Sequence, residues 1–321
     1  MSDAPARAEH RATDRARVGR TALTVSRLGV GGGSSFVRSE GAALLDACWD
    51  AGLRHFDTAP LYGDGNSERR FGESLARRPR DEFVLSTKAG RNGSAAFDYT
   101  AAGVTASLQG SLDRLGLARI DMVFLHDVDP DLHKDAFERR FDEAVNEALP
   151  ALIELRDAGT LGAVGVGLKD WDVALRLAQA CQLDCIMLAG GYTLLQHGGL
   201  HELLPWCAAN GVSVVVAAPY NTGILATGAI DGARYYYKPA PPDILERTAA
   251  IETVCARHGV PLAAAALQFP LHHPAVASVV VGHERAPEVT RNIALLEFPM
   301  PRALWSELKE RALIPPEAPT P

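Results

Sequence analysis

The sequence predicts an α/β protein, a (β/α)8 TIM barrel with an N-terminal β-hairpin covering the barrel bottom. About eight short apolar runs alternate with longer amphipathic runs. Several of the apolar runs are rich in Val, Leu and Ile without a period of two, as is typical of strands buried on both faces. Glycines follow four of the helical runs, where helices commonly end: Gly52, Gly116, Gly159 and Gly211.

The elements are predicted in order along the chain. A small hairpin is expected over 18–25, around Gly19 and Arg20. Strands are expected at 28–33, 55–59, 83–88, 120–126, 161–168, 185–190, 212–219 and 276–282. Helices are expected at 41–51, 67–77, 101–115, 143–158, 171–180, 200–210, 243–258 and 286–296, with an extra Ala-rich helix at 261–269. A long irregular loop at 220–242 follows the seventh strand, and loops of this length are usually functional or mobile.

The bulk composition limits the classes of protein and partner. Residues 1–17 are polar and lack an apolar signal core, so we expect a flexible tail on a cytoplasmic protein. One barrel domain is expected over 18–314, followed by a second tail over 315–321. The net charge of −7 argues against nucleic acid or a membrane surface as a partner. Five scattered cysteines favour reduced thiols and no metal site. The oligomeric state stays open.

Three of the apolar runs end on titratable side chains. The runs at 55–57, 83–88 and 120–126 end on Asp57, Lys88 and His126, and Tyr62 follows Asp57 after a short loop. The carboxyl ends of barrel strands meet at one rim, where barrel enzymes place their chemistry. A phenol beside an ammonium and a carboxylate can exchange a proton. The four residues are predicted to be catalytic, although each alone also fits a structural role, as an ion pair, a core histidine or a pocket wall.

These residues and their spacing resemble the aldo-keto reductases. The motifs are Phe56-Asp57-Thr58-Ala59-x-x-Tyr62-Gly63, Ser67-Glu68, Thr87-Lys88 and Leu125-His126, and the similarity runs over about 18–298. Further runs at 125–129, 188–195, 235–242 and 264–270 are similar to one subgroup. That subgroup comprises L-fucose (D-threo-aldose) 1-dehydrogenases, pyridoxal 4-dehydrogenases and L-galactose dehydrogenases.

The resemblance implies an NAD(P)-dependent oxidoreductase that oxidises the anomeric hydroxyl of an aldose to the lactone. Tyr62 would be the general acid–base, and the Lys88 cation would favour its phenolate. Asp57 would hold Lys88, and His126 would orient the reacting oxygen. The alternatives are a pyridoxal 4-dehydrogenase or broad carbonyl reductase, a Schiff-base lyase that uses Lys88, and a dinucleotide-binding regulatory subunit.

In the family, the last strand and helix hold the adenosine half of the cofactor. The resemblance therefore implies cofactor contacts at Gly282, Glu288, Arg291 and Asn292. NADP-preferring members commonly place cations where Gly282 and Glu288 stand, so NAD is favoured over NADP, although His283 and Arg285 can also reach a phosphate.

The remaining contacts are predicted on other strands of the rim. Asp57 is also expected to contact the cofactor. Gly32 is expected to contact it too, because a glycine permits close approach. Tyr192 is expected to stack on the nicotinamide, with a barrel-wall aromatic as the alternative. The expected substrate contacts are Tyr62, His126, Trp171 and Asn221.

Overall fold

The structure is a computed structural model that describes residues 9–39, 41–93 and 96–321. Eight parallel strands close into a barrel in chain order. They are β1 Leu28–Gly31, β2 His55–Asp57, β3 Val84–Ala89, β4 Met122–His126, β5 Ala163–Leu168, β6 Cys185–Ala189, β7 Ser213–Ala217 and β8 Val276–Gly282. Pairing of β8 with β1, which sets Val280 opposite Gly29, closes the barrel. The predicted (β/α)8 barrel is confirmed.

Helices surround this barrel. They are Ser34–Val37, Ala42–Asp50, Asn66–Leu75, Ala101–Leu115, Pro130–His133, Phe137–Glu143, Leu149–Asp157, Trp171–Ala180, Leu203–Asn210, Ile224–Thr227, Pro242–Arg257, Leu262–Gln268, Ala286–Leu296 and Arg302–Glu310. The helix predicted at 143–158 begins earlier, because a π-helical turn at Ala144–Ala148 joins two α-helical segments. The predicted loop at 220–242 contains short helical turns and a two-stranded ribbon, Arg234–Tyr235 with Lys238–Pro239.

An N-terminal hairpin covers the barrel bottom, as predicted, but it begins earlier. Its strands are Arg15–Arg17 and Thr24–Ser26. At the turn, the Gly19 amide donates to Ser213 Oγ at 2.7 Å. A Cβ on Gly19 would lie 2.3 Å from the Asp184 carbonyl oxygen, so the turn sits tightly on the amino ends of β6 and β7. The predicted flexible tail is therefore wrong for Arg15–Arg17, because these residues pair as a strand; residues 1–8 lie outside the described residues.

The segment after the last helix also packs against the domain. The Leu313 amide donates to the Leu308 carbonyl at 2.9 Å, which turns the chain back at the end of Arg302–Glu310. Ile314 and Ala318 are each 1% exposed and belong to the main hydrophobic core. The predicted tail at 315–321 is thus anchored through Ala318.

Alternation along the strands sets which side chains point into the barrel. Val84, Met122 and Phe124 belong to a cluster inside the barrel, whereas their neighbours belong to the outer core beneath the helices. Because successive strand residues point to opposite faces, Lys88 and His126 also point inward, near the carboxyl ends. No helix within the described ranges is long and apolar enough to cross a bilayer.

Candidate active site

A buried ion pair joins the carboxyl ends of β2 and β3. Lys88 Nζ donates to Asp57 Oδ2 at 2.7 Å and to the Thr58 carbonyl oxygen at 2.9 Å. Ser86 Oγ donates to Asp57 Oδ1 at 2.7 Å, so both carboxylate oxygens have partners. Asp57 is 3% exposed and Lys88 is 2% exposed. The pair is therefore fixed in position and shielded from water.

The charge on Lys88 is held by its partners. Burial disfavours the ammonium, but attraction to Asp57 and Tyr62 outweighs burial and raises the pKa of Lys88. An amine with a raised pKa stays protonated and is a poor nucleophile. This argues against the alternative of a Schiff-base lyase that uses Lys88.

Tyr62 stands beside this pair. Its carbonyl oxygen accepts from the Ser67 amide at 3.1 Å, at the start of the helix Asn66–Leu75, which fixes its backbone. Lys88 Nζ lies 4.8 Å from the centroid of the phenol ring. Burial raises the pKa of Tyr62 to about 12, and the Lys88 charge acts against that rise. The expected influence of Lys88 is thus present in direction, but burial outweighs it and leaves the phenol protonated at neutral pH.

His126 completes the group. Its ring lies edge-on to the Tyr62 ring, with centroids 6.0 Å apart. Burial lowers the pKa of His126 to about 3, and the nearby Asp127 carboxylate opposes this only in part. The imidazole is therefore neutral at physiological pH, with one nitrogen that donates and one that accepts. Its Nδ1 is buried without a hydrogen-bond partner among the described residues.

The loop after β4 is held by a network that sequence reasoning missed. Tyr99 donates to the His126 carbonyl oxygen at 2.7 Å. His133 Nε2 lies 3.0 Å from the Asp127 carbonyl oxygen, and Arg91 forms an ion pair with the Asp127 carboxylate. Asp127 has a φ of 60°, a conformation that few non-glycine residues adopt. The available signal was the pair of aspartates that follows His126, but its partners lie on other elements.

The predicted cofactor residues of the last strand and helix lie together. Gly282 is exposed at the end of β8. Glu288 lies in the first turn of the helix Ala286–Leu296 and accepts from the Glu284 amide at 2.8 Å. Arg291 is exposed, and Asn292 Oδ1 accepts from the Tyr220 hydroxyl at 2.8 Å. Their contacts with a cofactor stay a prediction.

Gly32 packs closely against the helix Asn66–Leu75, which leaves no room for a side chain. A Cβ at this position would lie 2.5 Å from Ser67 Oγ and 2.9 Å from the Phe71 ring. The Gly32 carbonyl oxygen accepts from Ser67 Oγ at 2.8 Å, which ties the end of β1 to the helix Asn66–Leu75. The cofactor contact at Gly32 stays a prediction; at the neighbouring Gly33, a Cβ would meet no atom within 4 Å.

Tyr192 is a barrel-wall aromatic, so the predicted stacking on nicotinamide is wrong. The side chain is 0% exposed, and its ring lies 5.2 Å from that of Phe269 and 6.0 Å from that of His273. These contacts place it in the outer core, because the chain turns at Gly190 after β6 and directs the ring away from the rim.

Trp171 and Asn221 hold loops. The predicted substrate contact is wrong for Asn221, whose buried amide is used within the protein, and stays a prediction for Trp171, which is partly exposed. A Cβ on Gly198 would lie 2.5 Å from Trp171 Nε1, so the indole packs against the turn that follows β6. Asn221 is 2% exposed; its Oδ1 accepts from Thr193 Oγ1 at 2.6 Å and its Nδ2 donates to the Gly190 carbonyl oxygen at 3.3 Å. Its amide is used to join the loops after β6 and β7.

Comparison with known proteins yields one family. The model of the Aldo/keto reductase family matches residues 27–312. A D-threo-aldose 1-dehydrogenase from Pseudomonas sp is 41% identical over 301 residues, covering 86% of this chain and 89% of that protein. A pyridoxal 4-dehydrogenase from Microbacterium luteolum is 34% identical over 339 residues, covering 95% and 99%. Among solved structures, the aldo-keto reductase AKR11C1 from Bacillus halodurans has a TM-score of 0.76 at 24% identity, covering 93% of this chain and 96% of that one, which supports the fold.

Proposed function

Since the chain belongs to the aldo/keto reductase family, it is a nicotinamide-dependent oxidoreductase acting on CH–OH groups, and we propose that its substrate is an aldose. In this proposal the enzyme oxidises the anomeric hydroxyl of a sugar of the L-fucose, D-arabinose and L-galactose class to the lactone. The observation that carries the proposal is the buried Lys88–Asp57 pair with Tyr62 beside it and a neutral His126. It occurs in a chain that is 41% identical to a D-threo-aldose 1-dehydrogenase.

The rim has features that suit a dinucleotide. The exposed Gly282 leads to the amino end of an eleven-residue helix, Ala286–Leu296, whose backbone amides suit an anionic group. The carboxylate of Glu288 would accept from ribose hydroxyls and would repel a 2′-phosphate. Arg291 and Asn292 lie farther along the same helix. We therefore propose NAD as the preferred cofactor and these residues as its contacts.

The proposed chemistry divides between the cofactor and the side chains. The bound nicotinamide supplies the acceptor for the two electrons removed from the sugar carbon. In oxidation, Tyr62 takes the proton of the anomeric hydroxyl; in carbonyl reduction, it donates that proton. Lys88 stabilises the phenolate that this exchange requires, and Asp57 holds Lys88 in place. Because burial raises the pKa of Tyr62 to about 12, sugar oxidation should accelerate as the pH rises above neutrality.

His126 has a positioning function in the proposal. Its neutral ring can donate one hydrogen bond to the reacting oxygen and hold it near Tyr62. A charged imidazolium would compete as a proton donor, but a pKa of about 3 excludes that form at working pH.

The test is the formation of NADH by the purified protein with L-fucose, L-galactose, D-arabinose or pyridoxal. We expect turnover with NAD on at least one sugar, and a Tyr62→Phe variant should lose roughly 10²- to 10⁴-fold in kcat while still binding NADH. Full activity in that variant would remove Tyr62 from the mechanism.

A second candidate is pyridoxal oxidation. The pyridoxal 4-dehydrogenase relative covers almost the full length of both chains. Turnover of pyridoxal without turnover of any sugar would favour this candidate. Tight NADH binding with no turnover on sugars, pyridoxal or simple aldehydes would favour a regulatory subunit.

A further inference from the structure

A polar cavity of ≈ 410 Å³ opens at the rim beyond His126. Three aspartates, two lysines and two tyrosines line it, from the loops after β4, β5 and β7. Its volume lies within the usual range for sites that bind small molecules, whereas a lining without aliphatic side chains is unusual for such sites. A ligand of this cavity must therefore carry many hydrogen-bonding groups.

One carboxylate of this cavity is incompletely used by the protein. Asp129 is 1% exposed, and its Oδ1 accepts from the Lys169 and Asp170 amides, each at 2.9 Å. Its Oδ2 is buried and has no hydrogen-bond partner within the described part of the chain. A buried carboxylate oxygen without a donor is costly, so a donor that arrives from outside the protein would stabilise it. A carboxylate only accepts hydrogen bonds, so the incoming group must be a donor.

The cavity adjoins the catalytic group. Asp129 lies in the loop after β4, three residues beyond His126, which ends that strand. Lys169, which lines the cavity, is close enough for its charge to act on the pKa of both His126 and Asp129. The proposal below therefore places the reacting carbon of the substrate at Tyr62 and His126 and its remote end in this cavity.

The two tyrosines that line the cavity lie on a loop whose conformation is held by hydrogen bonds. Tyr236 and Tyr237 have φ angles of 46° and 64°, which non-glycine residues adopt only when their surroundings enforce them. The Tyr236 hydroxyl donates to the Gly190 carbonyl oxygen at 3.1 Å, and the Tyr237 amide donates to Thr222 Oγ1 at 3.3 Å. These tyrosines can present ring faces to the C–H face of a sugar.

We propose that Asp129 is the specificity residue for polyhydroxylated substrates, with its Oδ2 accepting a hydrogen bond from a sugar hydroxyl remote from the reacting carbon. The proposal rests on the proposed aldose oxidation and deepens it. Asp129 selects hydroxylated substrates over simple aldehydes of similar reactivity, because an aldehyde without hydroxyls leaves its oxygen unpaired.

The first test is an Asp129→Asn variant, which retains Oδ1 for the two backbone amides and loses the acceptor at the other atom. We expect KM for the aldose to rise roughly 10- to 100-fold, as for the loss of a hydrogen bond to a charged group. Reduction of 4-nitrobenzaldehyde and the Kd for NADH should be unchanged. The matched control is Asp135→Asn, an exposed carboxylate on the same segment that does not line the cavity, which should leave all three values unchanged.

The second test uses the wild-type protein with a series of monodeoxy aldoses. Removal of the hydroxyl that meets Asp129 should raise KM by about the same factor as Asp129→Asn, and the variant should show no further loss with that sugar. The wild-type series alone decides the matter if the variant does not fold: equal KM for every monodeoxy sugar overturns the proposal.

The possible results distinguish a failure of the Asp129 assignment from a failure of the proposed aldose oxidation. Aldose oxidation with unchanged KM in Asp129→Asn overturns the assignment of Asp129 and leaves the proposed function intact. An equal loss on aldose and 4-nitrobenzaldehyde shows a structural role and also overturns the assignment. A wild-type protein that reduces 4-nitrobenzaldehyde but neither oxidises nor binds any aldose overturns the proposed function and the sugar site together.

Discussion

Replacement of Lys88 by methionine separates the structural contribution of the buried ion pair from its chemical one. Lys88→Met keeps the length of the side chain but leaves the Asp57 carboxylate, 3% exposed, with Ser86 Oγ as its side-chain donor. Breaking a buried pair by removal of one partner costs about 3–5 kcal/mol of the free energy of unfolding. The double variant Asp57→Asn/Lys88→Met removes both charges and should recover most of that loss, because a neutral pair needs no counter-charge.

Activity should not follow stability in this pair of variants. Both lack the cation that we propose stabilises the Tyr62 phenolate, so each should lose at least ~10²-fold in kcat. Urea unfolding measures the stability of the three proteins, and NAD-dependent turnover measures their activity. A single variant as stable as the wild type would show that the pair is not shielded from water. An active double variant would show that the chemistry does not need Lys88.

Three further predictions test the cofactor site, the core and the pH dependence. Glu288→Arg should shift the NADP-to-NAD preference by at least ~10-fold, measured as the ratio of kcat/KM values. Tyr192→Phe should leave the Kd for NADH unchanged. The free energy of unfolding should stay the same or rise by ~1 kcal/mol, because the hydroxyl is buried without a partner in the described chain. Burial lowers the pKa of His55 from 6.5 to about 3. Between these two pH values the unfolded chain binds a proton that the folded chain does not. The free energy of unfolding therefore falls as the pH falls through this range. His55→Gln should therefore remove up to ~1.4 kcal/mol per pH unit of that fall.

Much of the fold follows from local pattern. The helix Ala101–Leu115 has the predicted bounds because Thr100 caps its start, accepting from the Gly103 amide at 3.0 Å, and Gly116 ends it with a φ of 61°. The strand Val276–Gly282 also has its predicted bounds. The predicted start at 143 was wrong, because a π-helical turn at Ala144–Ala148 joins this helix to the preceding one, Phe137–Glu143.

The candidate site, like the fold, could be predicted from the sequence only in part. Asp57, Lys88 and His126 were predictable, because strand alternation and chain order bring inward side chains at the carboxyl ends to one rim. Tyr192 and Asn221 were not, because each lies beyond a strand end, where loop geometry decides direction. The sequence alone does not tell whether a loop tyrosine or asparagine faces a pocket or packs inside the protein.

By itself, the sequence determined the barrel, its family and the side chains that gather at its rim, because these depend on periodicity and order along the chain. Only the tertiary structure decided how those side chains behave. Burial outweighs the Lys88 charge at Tyr62 and keeps the His126 ring neutral, since desolvation depends on atoms from many elements. The same packing gave Asp129 two backbone donors on one oxygen and, within the described residues, none on the other. That difference arises where the loops after β4 and β5 meet, and no single stretch of sequence contains it.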